Sequence, residues 1–389
     1  MESIGKRLEA SGGVGKGFDA LRLFLAVGVV AWHANSMVRD GPWLDHTRFA
    51  WFPGYAILSM FFALSGFLIA GSARRLRLPD FLVNRGLRIF PALAVEILLS
   101  AFVLGLAVTT LPARTYLTSG QTWHYLTNIV ALINYQLPGV FKTNPNDIVN
   151  GSLWTVPLEF LCYAVMAVIM LTSMLKRPRS ILILCAALLT AGLVAQFSLP
   201  SLMDGSATFF GASILEKIFA AHQSRLLISF LLGIVLFCAK DRIPYSKAIA
   251  AIAIATCVLA SCAASPQQIG YPLLNLIAAS ALAYLMAFVG VTNVPTPAVF
   301  KKGDYSYGIY LYGYPLQQLT ASNFPNVHSA VLQFCIALPL IALFSIFSWH
   351  FIEKPILRMR KHFSFISRAR LAEEGVAKPA STTAALQSS

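Results

Sequence analysis

The sequence predicts an all-α, polytopic integral membrane protein with about ten transmembrane helices and both termini cytoplasmic. Three observations carry this. Of 389 residues, 57% are hydrophobic and only 12% charged, against about 25% charged in an ordinary soluble domain. Mean hydropathy is +0.67. Apolar runs of about 20 residues, the length that crosses ~30 Å of hydrocarbon, recur along the chain between short basic segments. This composition excludes a soluble globular enzyme, a disordered chain and a nucleic-acid-binding domain. A net charge of +14 and a pI of 9.7 would otherwise suggest nucleic acid. Here the basic residues sit between apolar runs, so the lipid bilayer is the expected partner and no nucleic acid is expected.

The spans fall near 20–38, 52–72, 91–111, 153–175, 181–200, 226–239, 248–264, 271–291, 305–321 and 328–350. The sixth is short and begins nearer Ser224. A further apolar stretch, 122–140, is broken by Asn128, Asn134, Gln136 and Pro138. Charge decides its status. Without it as a crossing, and with the N-terminus inside, 23 of the 30 Lys and Arg residues fall on the cytoplasmic side. Six fall outside: Arg39, Arg48, Arg114, Lys142, Lys217 and Arg225. Counting 122–140 as a crossing would put the later basic clusters on the wrong side. It is therefore expected to be partly inserted or interfacial.

The first apolar run begins after about 18 residues and lacks a small-residue cleavage site, so it reads as a signal-anchor-like helix. Residues 1–17 form an expected cytoplasmic N-terminal segment, 18–367 the membrane domain, and 368–389 a disordered cytoplasmic tail rich in Ala, Ser and Thr. The six cysteines all lie in apolar stretches without a CxxC pair. They read as small buried apolar residues rather than disulfides or metal ligands. No repeat at a fixed period is visible, which weighs against repeat-built transporter folds.

Ionisable groups within a span are expensive and point to function. The first helix has two, Arg22 and His33, eleven residues apart. At 3.6 residues per turn they share nearly one helix face, about 16 Å apart along the axis. Arg22 then lies near the cytoplasmic surface and His33 in the outer half of the bilayer. Arg22 also suits a snorkelling anchor. Histidine serves as a general base near neutral pH. Ser65-Gly66 in the second span suits close helix packing, and a nucleophile elbow at Ser65 lacks its flanking glycines.

The loop ARRLRLPDFLVNRGLRIFPAL carries five arginines, and Pro91 is expected to open the next span. Arg85 and Arg88 are three apart and share a helix face. Arginines suit phosphate groups, which they bind in a bidentate way, as well as lipid headgroups. Glu96 reads as structural, near the cytoplasmic end of its span and without a partner. Glu159, in NGSLWTVPLEFLCY, sits roughly 10 Å into the fourth span from the outer side, and a buried carboxylate must be paired or protonated. The ninth span opens GDYSYGIYLYGYPLQQ. An interfacial aromatic belt explains some of its tyrosines, among them Tyr307 and Tyr310, but Ser306, Gln317 and Gln318 less well. The last span ends with His350 and Glu353, a charged helix end that Pro355 closes.

Taken in order, FDALRLFLAVGVVAWH, FFALSGFLIAGS, FLVNRGLRIFPAL, GSLWTVPLEFLCY, DYSYGIYLYGYP and FIEKP resemble the acyltransferase 3 family of integral-membrane acyltransferases. Its members include bacterial O-acetyltransferases of lipopolysaccharide, exopolysaccharide and Nod factor. The resemblance runs from residue 18 to 355 and makes 18–367 a membrane acyltransferase domain. It implies a protein of the bacterial inner membrane that moves an acyl group, expected to be acetyl, from cytoplasmic acyl-CoA to a hydroxyl of a cell-surface or exported glycan.

Acetyl-CoA is then a co-substrate, and no permanently bound cofactor or metal is implied. The resemblance places the family's first-helix Arg and His on Arg22 and His33, its paired arginines on Arg85 and Arg88, and its carboxylate on Glu159. Arg22, Arg85 and Arg88 would meet the CoA phosphates. His33 would deprotonate the acceptor hydroxyl or briefly carry the acyl group, with Glu159 orienting it. Trp154, Ser306, Tyr307 and Tyr310 would bind substrate. One departure is Gly313, where many members carry His two residues before the Pro. Two other readings stay open: a proton-coupled transporter of a small solute or glycan precursor, and a sensor or scaffold that has lost catalysis.

Overall fold

A computed structural model describes residues 2–13, 15–39, 51–198, 221–263, 272–294 and 303–363. Arg48, Lys217, Lys301, Lys302 and the segment 368–389 lie outside the described residues. Among the described residues the fold is all-helical, with one isolated bridge, Ser3 to Pro244. The helices are α1 (Ile4–Ala10), α2 (Lys16–His33), α3 (Trp51–Ala73), α4 (Leu78–Leu99), α5 (Gly105–Val108), α6 (Ala113–Thr118), α7 (Gly120–Tyr125), α8 (Val156–Leu171) and α9 (Pro178–Ser198). They continue as α10 (Ala221–Ala239), α11 (Lys247–Ala263), α12 (Pro272–Val291), α13 (Ser306–Asn323), α14 (Ala330–Ser348) and α15 (Lys354–Phe363).

Five stretches among the described residues are helical, long and apolar enough to cross a membrane: Lys16–Met37, Trp51–Ala73, Leu78–Val108, Gly151–Leu171 and Ala330–Met359. Four shorter apolar helices, Pro178–Ala191, Arg225–Ala239, Lys247–Cys262 and Leu276–Val291, accompany them. Helix α13 has a different character. It buries Ser306, Gln317, Gln318 and Thr320 along with its apolar residues. Protein surrounds it on most sides, so its polar groups meet protein partners in place of lipid.

Two prolines do not act as the sequence suggests. Pro91 lies inside α4, which begins thirteen residues earlier at Leu78 with Pro79 in its first turn. The helix runs on through a π turn, Ser100–Leu104, and α5. Arg85 and Arg88 are therefore carried within a long helix, and Glu96 lies deep in it. Its carboxylate is also partnered, accepting from Ser100 Oγ at 2.7 Å and Asn150 Nδ2 at 3.0 Å. Likewise Pro355 does not close the last span: a π turn at Trp349–Glu353 leads directly into α15. Pro79, in the first turn, removes no intrahelical hydrogen bond, whereas Pro91 inside the helix leaves the carbonyl four residues before it without its usual donor.

Residues 122–140 form no continuous helix. Helices α6 and α7 lead to a 3-10 turn, Leu126–Val130, and Ala131 reverses the chain with φ 62°. Buried Asn128 holds this reversal, donating to the carbonyls of Tyr125 at 2.7 Å and Asn134 at 2.9 Å. Local partners thus satisfy the polar residues that interrupt the apolar run.

The packing of α3 on α10 rests on two glycines. A Cβ on Gly66 would fall 2.0 Å from the carbonyl oxygen of Phe230, and one on Gly233 would fall 2.0 Å from that of Ala63. Each backbone sits in the gap left by the other helix's missing side chain, as small residues allow in membranes.

The basic clusters gather at one end of the bundle. There Ile4 N donates to Ile243 O at 2.9 Å, and Tyr245 N to Glu2 O at 2.8 Å. Arg7 lies 3.8 Å above the Tyr245 ring, and Arg74 5.2 Å above that of Phe237. Gly17, at the start of α2, abuts the carbonyl of Val289 near the end of α12. The C-terminal end of α2, with His33, therefore points to the opposite end.

Candidate active site

Among the described residues, two neighbouring cavities lie between the helices. The first, about 210 Å³, is lined by Arg22, Arg85, Arg88, Glu159, Asp304, Ser306, Tyr307 and Tyr310, with Phe61, Phe62 and Leu153 among its apolar walls. The second, about 240 Å³, is lined by Trp32, His33, Trp51, Tyr55, Trp154, Arg225 and Tyr310. Leu58 and Tyr310 wall both cavities.

In the first cavity the three arginines are not equivalent. Asp304, just before α13, is the hub. It accepts from Arg88 Nη2 at 2.7 Å, Arg22 Nη1 at 3.4 Å and Ser306 Oγ at 2.5 Å. Burial on its own would raise the Asp304 carboxyl, but Arg88 and Arg22 outweigh it and hold the group down at about 2. Arg88 also reaches buried Glu353 at 3.4 Å, and Ser348 Oγ donates to the same carboxylate at 3.1 Å. Arg22 takes a further contact from Asp19 at 3.2 Å, one turn earlier.

Arg85 makes no close ion pair among the described residues, although Glu159 lines the same cavity. Its Nε is buried without an acceptor, and its guanidinium lies 5.8 Å from the Phe81 ring centre. Two arginines are thus paired closely with acids, while the third keeps its guanidinium free of a close ion pair at the cavity wall.

Glu159 stands in the first turn of α8, where Pro157 opens the helix after the 3-10 turn Gly151–Thr155. The Tyr163 hydroxyl donates to its carboxylate. The structure does not bring Glu159 to His33. Tyr307 donates to Ile89 O at 3.1 Å and lies under Arg88, 5.6 Å from ring centre to guanidinium carbon. Tyr310 donates to Ser152 O at 3.1 Å, lies 2.5 Å from Thr155 Oγ1, and meets the Phe61 ring edge-on. It is a pinned partition rather than a loose aromatic.

In the second cavity the His33 ring approaches Tyr314 edge-on, 5.0 Å between centroids. Among the described residues no side chain hydrogen-bonds its nitrogens. Trp154, five residues before Glu159, faces His33 while Glu159 faces the arginines. Arg22 and His33 share one helix but serve different cavities. The turn of α13 at Gly313 presses on α2 one turn before His33: a Cβ there would lie 2.9 Å from Val30 Cγ2. Gln317 Nε2 fastens the same contact, donating to Val30 O at 2.8 Å. Glycine at 313 thus permits a close helix approach.

Gln318 donates to Asn146 Oδ1 at 2.7 Å and to Ile148 O at 2.6 Å. Both glutamines are structural ties. Sequence reasoning missed Asp304, which stood unremarked at the opening of the tyrosine-rich helix, and took Arg225 as a charge outside the bilayer. Asp304 carried a usable signal: a carboxylate at the start of a span facing arginines on two others.

Comparison with known proteins gives the family. An acyltransferase domain matches residues 16–350. The chain is 26% identical over 367 residues to an O-acetyl transferase of Shigella phage Sf6, covering 87% of this chain and 95% of that protein. It is 27% identical over 385 residues to nodulation protein 10 of Rhizobium leguminosarum bv. viciae, covering 92% and 97%. No solved structure matches. The chain is a membrane acyltransferase and belongs to the acyltransferase 3 family.

Proposed function

We propose that this enzyme transfers an acetyl group from acetyl-CoA to a hydroxyl of a cell-surface or exported glycan, across the inner membrane of a bacterium. The observation that carries the reading is the pair of cavities sharing Leu58 and Tyr310, one rich in arginine and one holding His33. Family membership favours an enzyme over a proton-coupled carrier. The O-acetyl transferase named among its relatives supports acetyl as the acyl group.

In this reading ten helices span the membrane and both termini are cytoplasmic. The end of the bundle where Arg7, Arg74 and the 240–247 segment gather faces the cytoplasm, in keeping with the positive-inside bias. CoA enters the first cavity from that end. Arg85 meets its phosphates first, with Arg88 and Arg22 held ready by Asp304. The acyl-pantetheine arm runs along α2 to the partition at Leu58 and Tyr310. The glycan hydroxyl reaches His33 from the other side. A ring nitrogen of His33 takes the hydroxyl proton as the oxygen attacks the thioester carbonyl. The tetrahedral intermediate expels the CoA sulfur, which takes the proton from the imidazolium. The products are the O-acetyl ester and free CoA thiol. Trp154 supports the acceptor, and Ser306, Tyr307 and Tyr310 line the donor side. Glu159 acts in the donor cavity, through Tyr163 and the arginines.

The test is thiol release from acetyl-CoA by the purified protein in lipid nanodiscs, with and without membrane glycans. Glycan-stimulated release by the wild type, lost about 100-fold or more in His33→Ala, is the expected result. Full release by the variant at normal protein level would overturn the mechanism.

A further inference from the structure

Arg22 and Arg88 of the first cavity are paired with acids, whereas the arginine of the second cavity is not. Arg88 lies between Asp304 and Glu353. Arg225, on α10, is only 6% exposed and lines the cavity of His33. Among the described residues it has no carboxylate partner and no hydrogen-bond acceptor. Its one side-chain contact of note is the Tyr55 ring, 4.6 Å from centroid to guanidinium carbon. Its Nε is buried and unpaired, and the indole Nε1 of Trp51, on the same cavity, is buried and unpaired as well. A guanidinium does not shed its proton. Among the described residues nothing meets this buried cation and these two donors, and an anionic oxygen group entering the cavity would satisfy them. Much of the rest of the wall is aromatic: Trp32 and Trp154 join Trp51 around His33, with Val29, Ile57 and Leu58 between them. Flat indole faces suit the C–H faces of pyranose rings, and their polar edges suit hydroxyls.

We propose that the His33 cavity is a subsite for an acidic saccharide, and that Arg225 and Trp51 hold the acceptor's anionic group while the tryptophans hold its ring. This rests on the reading of that cavity as the acceptor side. It adds a determinant of specificity: the enzyme selects acceptors that carry a negative charge near the hydroxyl to be acylated. A carboxylate on a uronic acid and a phosphate attached to a sugar share the required chemistry.

The experiment uses the full chain in phosphatidylcholine nanodiscs, with tryptophan fluorescence as readout. The probes are a glucuronic acid oligosaccharide, the matching neutral glucose oligosaccharide, and glucose 1-phosphate. The wild type is expected to bind an acidic probe about tenfold or more tightly than the neutral one. Arg225→Gln should bring the acidic and neutral probes within about twofold. Trp51→Phe keeps the ring and loses the N–H, so it should weaken only the acidic probe, by several-fold. Tighter binding of the glucuronate assigns a glycan carboxylate, and tighter binding of the phosphate assigns a phosphorylated acceptor.

Equal binding of acidic and neutral probes by the wild type would overturn the proposal. So would an acid preference that survives in Arg225→Gln. If that variant gives no monodisperse protein, Arg225→Lys decides: it keeps the charge but not the two-pronged geometry. Several-fold weaker binding of the acid supports the proposal, and unchanged affinity overturns it. Failure of the underlying reading shows up separately. A wild type that prefers the acid but releases no thiol from acetyl-CoA refutes the transfer mechanism alone. One that turns over acetyl-CoA without acid preference refutes this inference alone.

Discussion

Asp304 shows how much a single carboxylate does in the first cavity. It neutralises Arg88 and Arg22 from α4 and α2 together. Its carboxyl is held down at about 2 in the folded protein, below an ordinary 3.8. The folded value lies below the unfolded one, so its stabilisation is fully present above about pH 4 and is lost as pH falls toward about 2. Asp304→Asn is expected to cost about 1–3 kcal/mol, because two partly buried guanidinium groups lose their counter-charge. A thermal melt of both proteins at pH 7 and pH 3 checks this, and the gap between them should shrink at the lower pH. Arg85→Ala should act differently. Arg85 makes no close ion pair, so its loss should change the melt little and raise the KM for acetyl-CoA about tenfold, with little change in kcat. An unchanged KM would remove Arg85 from donor binding.

At the scale of elements, the α3–α10 contact is the most constrained. The atoms that a Cβ on Gly66 or Gly233 would strike are backbone carbonyl oxygens 2.0 Å away, which cannot rotate aside. Gly66→Leu or Gly233→Leu should therefore abolish accumulation of folded protein in the membrane, where close backbone approach drives association. Gly120→Ala is the control: nothing lies within 4 Å of its would-be Cβ, and yield should be unchanged. Asn150 ties three elements at one point. It donates to Glu96 Oε1 and to Leu311 O, both at 3.0 Å, and accepts from Ser152 N at 3.0 Å. Asn150→Ala would leave a buried carboxylate and a buried carbonyl short of a donor, at a cost of about 2–3 kcal/mol. A retained melting temperature would show that other groups replace it.

At the scale of the whole molecule, the proposed orientation has a direct test. A cysteine placed at Phe324, between α13 and α14, should react with a membrane-impermeant thiol reagent added outside cells. One placed at Arg242, among the basic clusters, should react only after the membrane is opened. The reverse pattern would invert the topology and with it the direction of acyl transfer. The two cavities are also a whole-molecule feature. Helices separated by more than 200 residues in sequence meet in each of them, as when α13 brings Tyr310 to the cavities that α2 lines.

Much of this was legible from residue order alone. Apolar runs near the length of a bilayer crossing mark the helical class, because each residue's transfer between water and lipid is a local quantity. Three-residue spacing put Arg85 and Arg88 on one helix face, and both line the first cavity with Glu159. Gly66 was legible as a packing residue from its setting. Other features depended on contacts between distant segments. The placement of Glu159 with Tyr163 rather than His33, the meeting of Asp304 with Arg22 and Arg88, and the burial of Arg225 against Tyr55 were such features. Hydropathy treats an arginine as a marker of the membrane side and assigns it no partner. The sequence by itself determined a helical membrane protein of the acyltransferase 3 type and its candidate residues, since those follow from local length, spacing and composition. Only the tertiary structure decided which of these residues share a cavity, because a buried charge takes its partner from whichever helix packs beside it, however remote along the chain.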